Sequence, residues 1–475
     1  MAAMTGNSNQ SGITAQHPDY IKYAPLWKEI RAVLEGKQAV IELKLPTPIY
    51  SDTIRGTDIL DKVKINQRLF IYLKRGQLLN ATARTHDSQT GYVWSNEPED
   101  TIPPSMDYVR EYLRENVQKI LADVTSLGRY GVLLDSNDTE SRTAAEVEQG
   151  VGVPEWILFK PEQIIYWRDD EVRLAETYEK RINELDYENV EQVRRLVLID
   201  GVYHNQVWRE GELHEDITPT INGSMMDYIP FQYFGSDDNS QDATKPPLYD
   251  LSSLNIGHFM LDCDNRDNLH YHGQGLTNVF VEDGEEFAAA NVNGLNVGAK
   301  GMNQFGKDDR VEILQLDATG AIASEMTRDQ ERMIMVGAQL VQNTNSNQTL
   351  GAKKMEAGAS ISTLKRETMN VSEGVTQLLQ WQAEMTGVSN PDAITYTLNT
   401  SFITDDMTPE KLTAHMSAVQ MGMLPKSTFN ESARQAGLTK LDDEEIEQQL
   451  GEQSFSVGGT SQEEAARLAA EEAEL

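Results

Sequence analysis

An α+β fold, mostly helical with a small β-rich part, is predicted from three observations. Apolar Met106, Val109, Leu113, Val117, Ile120 and Val124 recur at three- and four-residue steps, the period of one helix face. Residues 155–235 break instead into short β-rich runs such as WILFKPEQIIYW and RRLVLIDGVYHNQVW. The second carries Asp200-Gly201 between two alternating stretches, a hairpin turn pair. The last third returns to helical patterning.

In chain order, residues 1–16 are a tail rich in Gly, Ser and Asn, and HPDYIKYAPLWKEIRAVLEG (17–36) reads as a helix stopped by Gly36. Pro103 and Pro104 start the next helix, Gly128 stops it, and YGVLLD (130–135) is a buried strand. Beyond the β-rich part, SDDNSQDATKPP (236–247) is a loop, LYDLSSLNIGHFMLDCDNRDNLH (248–270) a helix and LTNVFVED (276–283) a strand. Helix 324–341 is followed by a polar loop and then by a long helix over 353–387, kinked because Gly358, Gly374 and many Ser and Thr residues loosen it. AITYTLNTSF (393–402) alternates as a strand, and 407–437 is a helical pair broken at Pro425. SVGGTS (456–461) links to a short Ala/Glu helix, and no internal repeat is present.

Charge is the strongest compositional signal. Lys and Arg number 41 against 75 Asp and Glu, a net −34. A monomer this acidic repels nucleic acid, because phosphate binding needs clustered cations. Cys263 is the single cysteine, so no intrachain disulfide can form and a reducing cytoplasm fits. The opening MAAMTGNSNQSG has neither the basic region nor the apolar core of a signal peptide, and no run of about 18 apolar residues spans a membrane.

Most candidate chemistry fails on spacing. Gly273 and Gly275 follow a helix and precede a strand, the reverse of a dinucleotide loop. Asp262 and Asp264 begin like a calcium loop, but Arg266 takes a ligand position and Asp267 replaces the turn glycine. His270 and His272 share a face only on a strand, and nothing around them has zinc spacing. Neither GxSxG nor HExxH occurs, and Lys353-Lys354 lacks the glycines of a phosphate loop. The acidic run RDDE (168–171) reads as a solvated turn, although a nuclease could hold Mg²⁺ with such residues. No catalytic residue, metal or cofactor is assigned.

One stretch is polar without charge. Gln342, Asn343, Thr344, Asn345, Ser346, Asn347, Gln348 and Thr349 form an amide and hydroxyl loop between two helices, with Lys353 and Lys354 at its root. On the residues alone it is a plain surface connection or a set of weak hydrogen-bonding groups.

The order of elements is more telling. The His-Pro-x-Tyr opening at 17–20, Gly-Arg-x-Gly-Val-Leu-x-Asp at 128–135 and Leu-x-x-Leu-Asn-x-x-His at 251–258 stand with YLKR…TARTHDSQTGYV, WILFKPEQIIYWR and MVGAQLV in one succession. Over roughly residues 17–450 that succession resembles a tailed-bacteriophage portal protein. It departs in having GQGL where the family often has a Gly-Pro step. The resemblance implies a portal fold with a wing (17–155 and 273–402), a clip with a flanking stem segment (156–247), a stem helix (248–272), a crown (403–455) and an acidic tail (456–475). It leaves the first stem helix unplaced, since PEQIIYWRDD is short for that role.

The resemblance also implies a homo-oligomeric ring, usually a dodecamer, at one capsid vertex of the virion, assembled in the host cytoplasm. Its partners would be the major capsid protein, the terminase large subunit, head-tail adaptor or tail proteins, and double-stranded DNA passing without sequence recognition. Residues 342–352 would be the tunnel loop, offering phosphates numerous weak hydrogen bonds without pinning them. Leu251, Leu254, Phe259 and Met260 would pack the stem between subunits, and Tyr203, Trp208 and Tyr228 would serve partners at the clip. Twelve copies carry roughly −400 in formal charge, which would keep DNA from sticking to the channel or would simply serve solubility. The competing readings are a metal-dependent nucleic-acid-processing enzyme and a head-tail adaptor ring, the latter normally far shorter than this chain.

Overall fold

The structure is a computed structural model. It describes residues 12–43, 69–135, 153–181, 187–221, 224–272, 276–281, 283–290, 310–314, 320–337, 350–402, 409–435, 439, 441–443 and 445–449. Two compact units divide the chain, Met1–Thr400 and Ser401–Leu475.

In the first unit, α1 (Pro18–Glu35) begins at His17, whose ring nitrogen accepts from the Asp19 amide at 3.2 Å. Pro18 occupies the first turn, where a missing N–H costs nothing. Gly36, at φ 111°, ends the helix as predicted, and α2 (Lys37–Glu42) follows. α3 (Ala81–Val93) is capped by the Asn80 side chain, and β1 (Glu99–Asp100) comes next. A 3₁₀ stretch, Pro104–Val109, precedes α4 (Arg110–Leu127), so Met106 and Val109 are buried but lie outside the α-helix proper. Along α4 the stripe Leu113, Val117, Ile120 and Val124 is buried, and Gly128 at φ 80° closes the helix with amide bonds to Asp123 and Val124.

The β-rich part makes two principal sheets. Following β2 (Arg129–Asp135) and β3 (Glu155–Phe159), a five-stranded antiparallel meander runs in chain order. Its strands are β4 (Ile164–Arg168), β5 (Glu171–Arg181), β6 (Tyr187–Ile199), β7 (Val202–Arg209) and β8 (Glu212–Ile217). The predicted hairpin turn is present: Ile199 pairs with Val202, and Asp200 and Gly201 take φ 50° and 80°. Short β9 (Thr220–Ile221) and β10 (Ser224–Met225) lead to β11 (Phe231–Gly235), which pairs with β2 in a sheet ordered β11-β2-β3. The meander is thus an insertion between two strands of one smaller sheet.

The chain then forms α5 (Tyr249–His272) and an antiparallel pair, β12 (Leu276–Phe280) with β13 (Arg310–Leu314), with α6 (Gly284–Ala290) between them in sequence. α7 (Ala321–Val336) packs along α5, and α8 (Leu350–Met385), 36 residues long, packs on α4 and β11. Gly374, expected to loosen that helix, instead lets β11 approach it, since a Cβ there would meet the Phe234 ring at 2.5 Å. The strand predicted over 393–402 shrinks to β14 (Tyr396–Thr397), paired with β1. α8 side chains take over its backbone: Thr376 bonds both the N–H and the C=O of Tyr396, and Ser372 accepts from the Leu398 amide. Segments far apart in the sequence therefore close on each other.

One core cluster joins α1, β2, β3, the base of the meander, β11 and α5 through Trp27, Leu133, Phe159, Trp167, Tyr203, Phe231 and Leu251. In the second unit, α9 (Pro409–Gln420) and α10 (Lys426–Gln435) are separated at Pro425 as predicted, and Arg434 pairs with Asp443 at 2.7 Å. Among the described residues no helix is long and apolar enough to cross a membrane.

Candidate functional site

The three motifs that carry the portal resemblance meet in that core. The His17 ring stacks on Trp167 with centroids 4.1 Å apart, and the Tyr20 hydroxyl donates to the Glu162 carbonyl at 2.9 Å. Arg129 lays its guanidinium over Trp167, 3.9 Å from the ring centroid. Gly131 is glycine because a Cβ would collide with the Phe231 ring and stand 2.9 Å from Ile164 Cδ1. Asp135 accepts from Asn205 at 3.3 Å and pairs with Arg194 at 3.4 Å. Behind them Arg31 bridges Asp123 and Glu162, with two bonds of 2.9 Å. These residues join the first helix, the small sheet and the meander, so their role is architectural.

The acidic run at 168–171 is not a bare carboxylate cluster. Glu171 is buried and held by Arg195 at 2.6 Å and Arg173 at 2.8 Å. Burial pushes its carboxyl up, but the bonds from those two arginines outweigh it and leave the group below the ordinary glutamate value. Among the described residues no group of three or more His, Cys, Asp or Glu is placed to hold a metal ion.

The stem expectation needs correction. Leu251 is 2% exposed in the main core, Leu254 packs half-buried against it, and Phe259 is 0% exposed in a second cluster with Val33, Val40, Tyr72 and Cys263. These side chains fill the protomer itself, because α5 lies against α1, α3 and α7. Only Met260, at 37%, stands on the open side. The buried face of α5 is also unexpectedly polar. Asn255 donates to the Leu79 carbonyl at 2.7 Å and accepts from Thr82 twice at 3.1 Å, and Asp262 accepts from the Gln77 amide at 2.6 Å. His258 meets Gln330 of α7 at 3.1 Å, and burial lowers its pKa.

Gln342 to Thr349 lie outside the described residues. Lys353 and Lys354 fall on the first turns of α8. α8 is anchored near its C-terminal end. Gln382 of α8, fully buried, donates to the Pro154 carbonyl and the Tyr112 hydroxyl, each at 3.0 Å, and accepts from Trp156 at 3.0 Å. Toward the segment the surface turns apolar: Met335 and Val336, at the end of α7, are 79% and 48% exposed.

On the meander the three aromatic candidates separate. Tyr203 is 1% exposed in the main core, and burial raises its hydroxyl pKa far above the ordinary tyrosine value, so it offers no partner surface. Tyr203 stands on the strand face that closes over the core, so the partner role expected for it from the resemblance is corrected. Tyr228 is half-buried against Trp381, centroids 5.5 Å apart, with its hydroxyl pKa pushed up by burial to about 12. Of the three, Trp208 alone lines an open groove of about 1610 Å³ between residues 12–16 and strands β5 to β8, in the company of Tyr20, Tyr178, Arg173, Arg195 and Arg209. Arg209 stacks on Tyr178 at 4.0 Å, and Arg173 donates to the Gly12 carbonyl at 2.9 Å. No local sequence pattern marks this groove: Arg173, Arg195 and Arg209 stand on three different strands, and only their antiparallel pairing brings them together.

A family model described as a domain of unknown function (DUF4055) matches residues 247–386, from α5 through α8. Nothing among curated proteins matches. Among solved structures, the chain is similar to the neck of an empty GTA particle computed with C6 symmetry, at 11% identity and TM-score 0.40 over 74% of this chain and 88% of that one. It is similar to the neck of a native GTA particle computed with C12 symmetry, at 10% and 0.37 over 75% and 89%. It is also similar to an HK97-family phage portal protein from Corynebacterium diphtheriae, at 11% and 0.32 over 68% and 92%. All three TM-scores lie below 0.5.

Proposed function

We propose that this chain is the subunit of a portal ring, the head-to-tail connector at one capsid vertex through which viral DNA is packaged and ejected. The observation that carries the reading is the way the β-meander is inserted between β3 and β11. One mixed core is completed by α4, the β11-β2-β3 sheet and α8, and closed by pairing of β1 with β14. A wing made from both halves of the chain, with a second, five-stranded sheet inserted into it in sequence, is the arrangement the motif order leads one to expect. In this reading the meander is the clip, with the groove beside Trp208 receiving terminase or the tail adaptor, and the unit from Ser401 supplies the crown. The role is mechanical: a hydrated, acidic conduit and docking platform that performs no catalysis.

Residues 342–349 would then ring the duplex as the tunnel loop. Replacing Asn343, Asn345 and Asn347 with Lys puts thirty-six cations around a polyanion in a twelve-membered ring, and Coulomb attraction would turn a sliding surface into a binding one. The measurement is the length of DNA packaged per particle. The Lys variant should package short, and a Ser variant should package nearly full genomes. Full-length genomes in the Lys variant would remove the loop from the DNA path.

A further inference from the structure

Arg129 is 3% exposed, and its Nε, Nη1 and Nη2 atoms are all buried without a hydrogen-bond partner. Its guanidinium lies 3.9 Å from the centroid of Trp167 and 5.1 Å from that of Tyr233. The polar tips of both rings, Trp167 Nε1 and the Tyr233 hydroxyl, are also buried and unpartnered. Every one of these groups can donate a hydrogen bond, and neither the guanidinium nor the indole can accept one. Register explains why they gather: Arg129 pairs with Gly235 and Gly131 with Tyr233, so Arg129 and Tyr233 are diagonal neighbours on one sheet face, and the edge strand β4 brings Trp167 over them.

Burial and the surrounding charges leave the arginine pKa at about 10, so the group remains cationic at neutral pH. Asp19 and Asp242 act on it only through space, since no guanidinium nitrogen has a bonded acceptor. Ring faces compensate a buried cation in part, but they leave its N–H groups unbonded. A buried charge is otherwise found paired. We propose that Arg129, with the Trp167 and Tyr233 donors beside it, forms a buried site for a small inorganic monoanion of the halide class. The bound ion would tie the β2 start, β11 and the β4 edge of the meander together.

The probe is chloride itself. The full-length protein is melted in chloride and in gluconate at matched ionic strength. Chloride should stabilise it, the folded-to-unfolded ratio rising about tenfold for each tenfold increase in chloride above the dissociation constant. Arg129→Met keeps a straight side chain between the rings, removes the donors, and should abolish the dependence. Equal melting of the wild-type protein in the two salts, or an unchanged chloride effect in the variant, overturns the site. If the variant fails to fold, the wild-type protein decides alone. Diffraction with bromide replacing chloride should show an anomalous peak within hydrogen-bond reach of the Arg129 guanidinium, and water or nothing there refutes the proposal.

Discussion

Phe259→Ala separates a protomer core from a subunit interface. Phe259 is fully buried in a cluster with Val33, Val40, Tyr72 and Cys263. Its ring also fills the space beside Gly76, where a Cβ would come within 2.9 Å of Phe259 Cε2. Hydrogen bonds surround the site: Tyr72 donates to Asp264 at 2.7 Å and the Gln77 amide to Asp262 at 2.6 Å, which fixes segment 69–77 against α5. Walls held in that way collapse poorly, so the loss should sit in the upper part of the usual range for a buried Phe truncation, about 3–5 kcal/mol. The assay is denaturant unfolding followed at several protein concentrations. A core residue lowers the midpoint by the same amount at every concentration, whereas an interface residue gives a loss that disappears as concentration rises. A loss below about 1 kcal/mol, or one that concentration rescues, would refute the placement of Phe259 inside the protomer.

Other outcomes follow from single residues. Glu367 of α8 is 1% exposed with Oε1 unpartnered, and burial raises its pKa well above 4.5 despite neighbouring Arg366. The folded state therefore keeps a proton that the unfolded chain loses. Its contribution is fully present below pH 4.5 and is lost as pH rises toward the folded-state value, by up to about 1.4 kcal/mol per pH unit. Glu367→Gln should flatten that slope in unfolding midpoints measured across pH, gaining on the parent protein as pH rises; parallel curves would contradict the buried, uncharged carboxyl. Gly131→Ala should cost about 1–3 kcal/mol by overpacking, read as a lowered melting temperature, because both neighbours, Phe231 and Ile164, are themselves buried. An unchanged melting temperature would show that the sheet has room there.

Elements with a local signal were legible in the sequence. The His-Pro opening of α1, the apolar stripe of α4, the Asp200-Gly201 turn and the break at Pro425 each depend on a few adjacent residues, and each lies where it was read. α3 was not read as a helix because ATARTHDSQTGYV has little apolar periodicity; the Asn80 cap and the reach of Asn255 to Thr82 and Leu79 hold it. The β14 region alternates like a longer strand, but Thr376 and Ser372, distant in sequence, claim its backbone groups. The faces of α5 and β7 failed for a related reason. Apolar Leu251 and Phe259 do not say whether the surface they seek belongs to the same subunit or the next one. Tyr203 and Trp208 differ by an odd number of residues, and their opposite fates follow from which sheet face the core covers.

The central claim is a ring, and the native mass of the full-length purified chain, by light scattering or native mass spectrometry, tests it most directly. A twelve-membered ring of the 53.2 kDa chain would weigh about 640 kDa and show a central hole in electron micrographs. A species of that order, stable to dilution, is the predicted result. A monomer or dimer at every concentration and salt condition tried would contradict the portal reading.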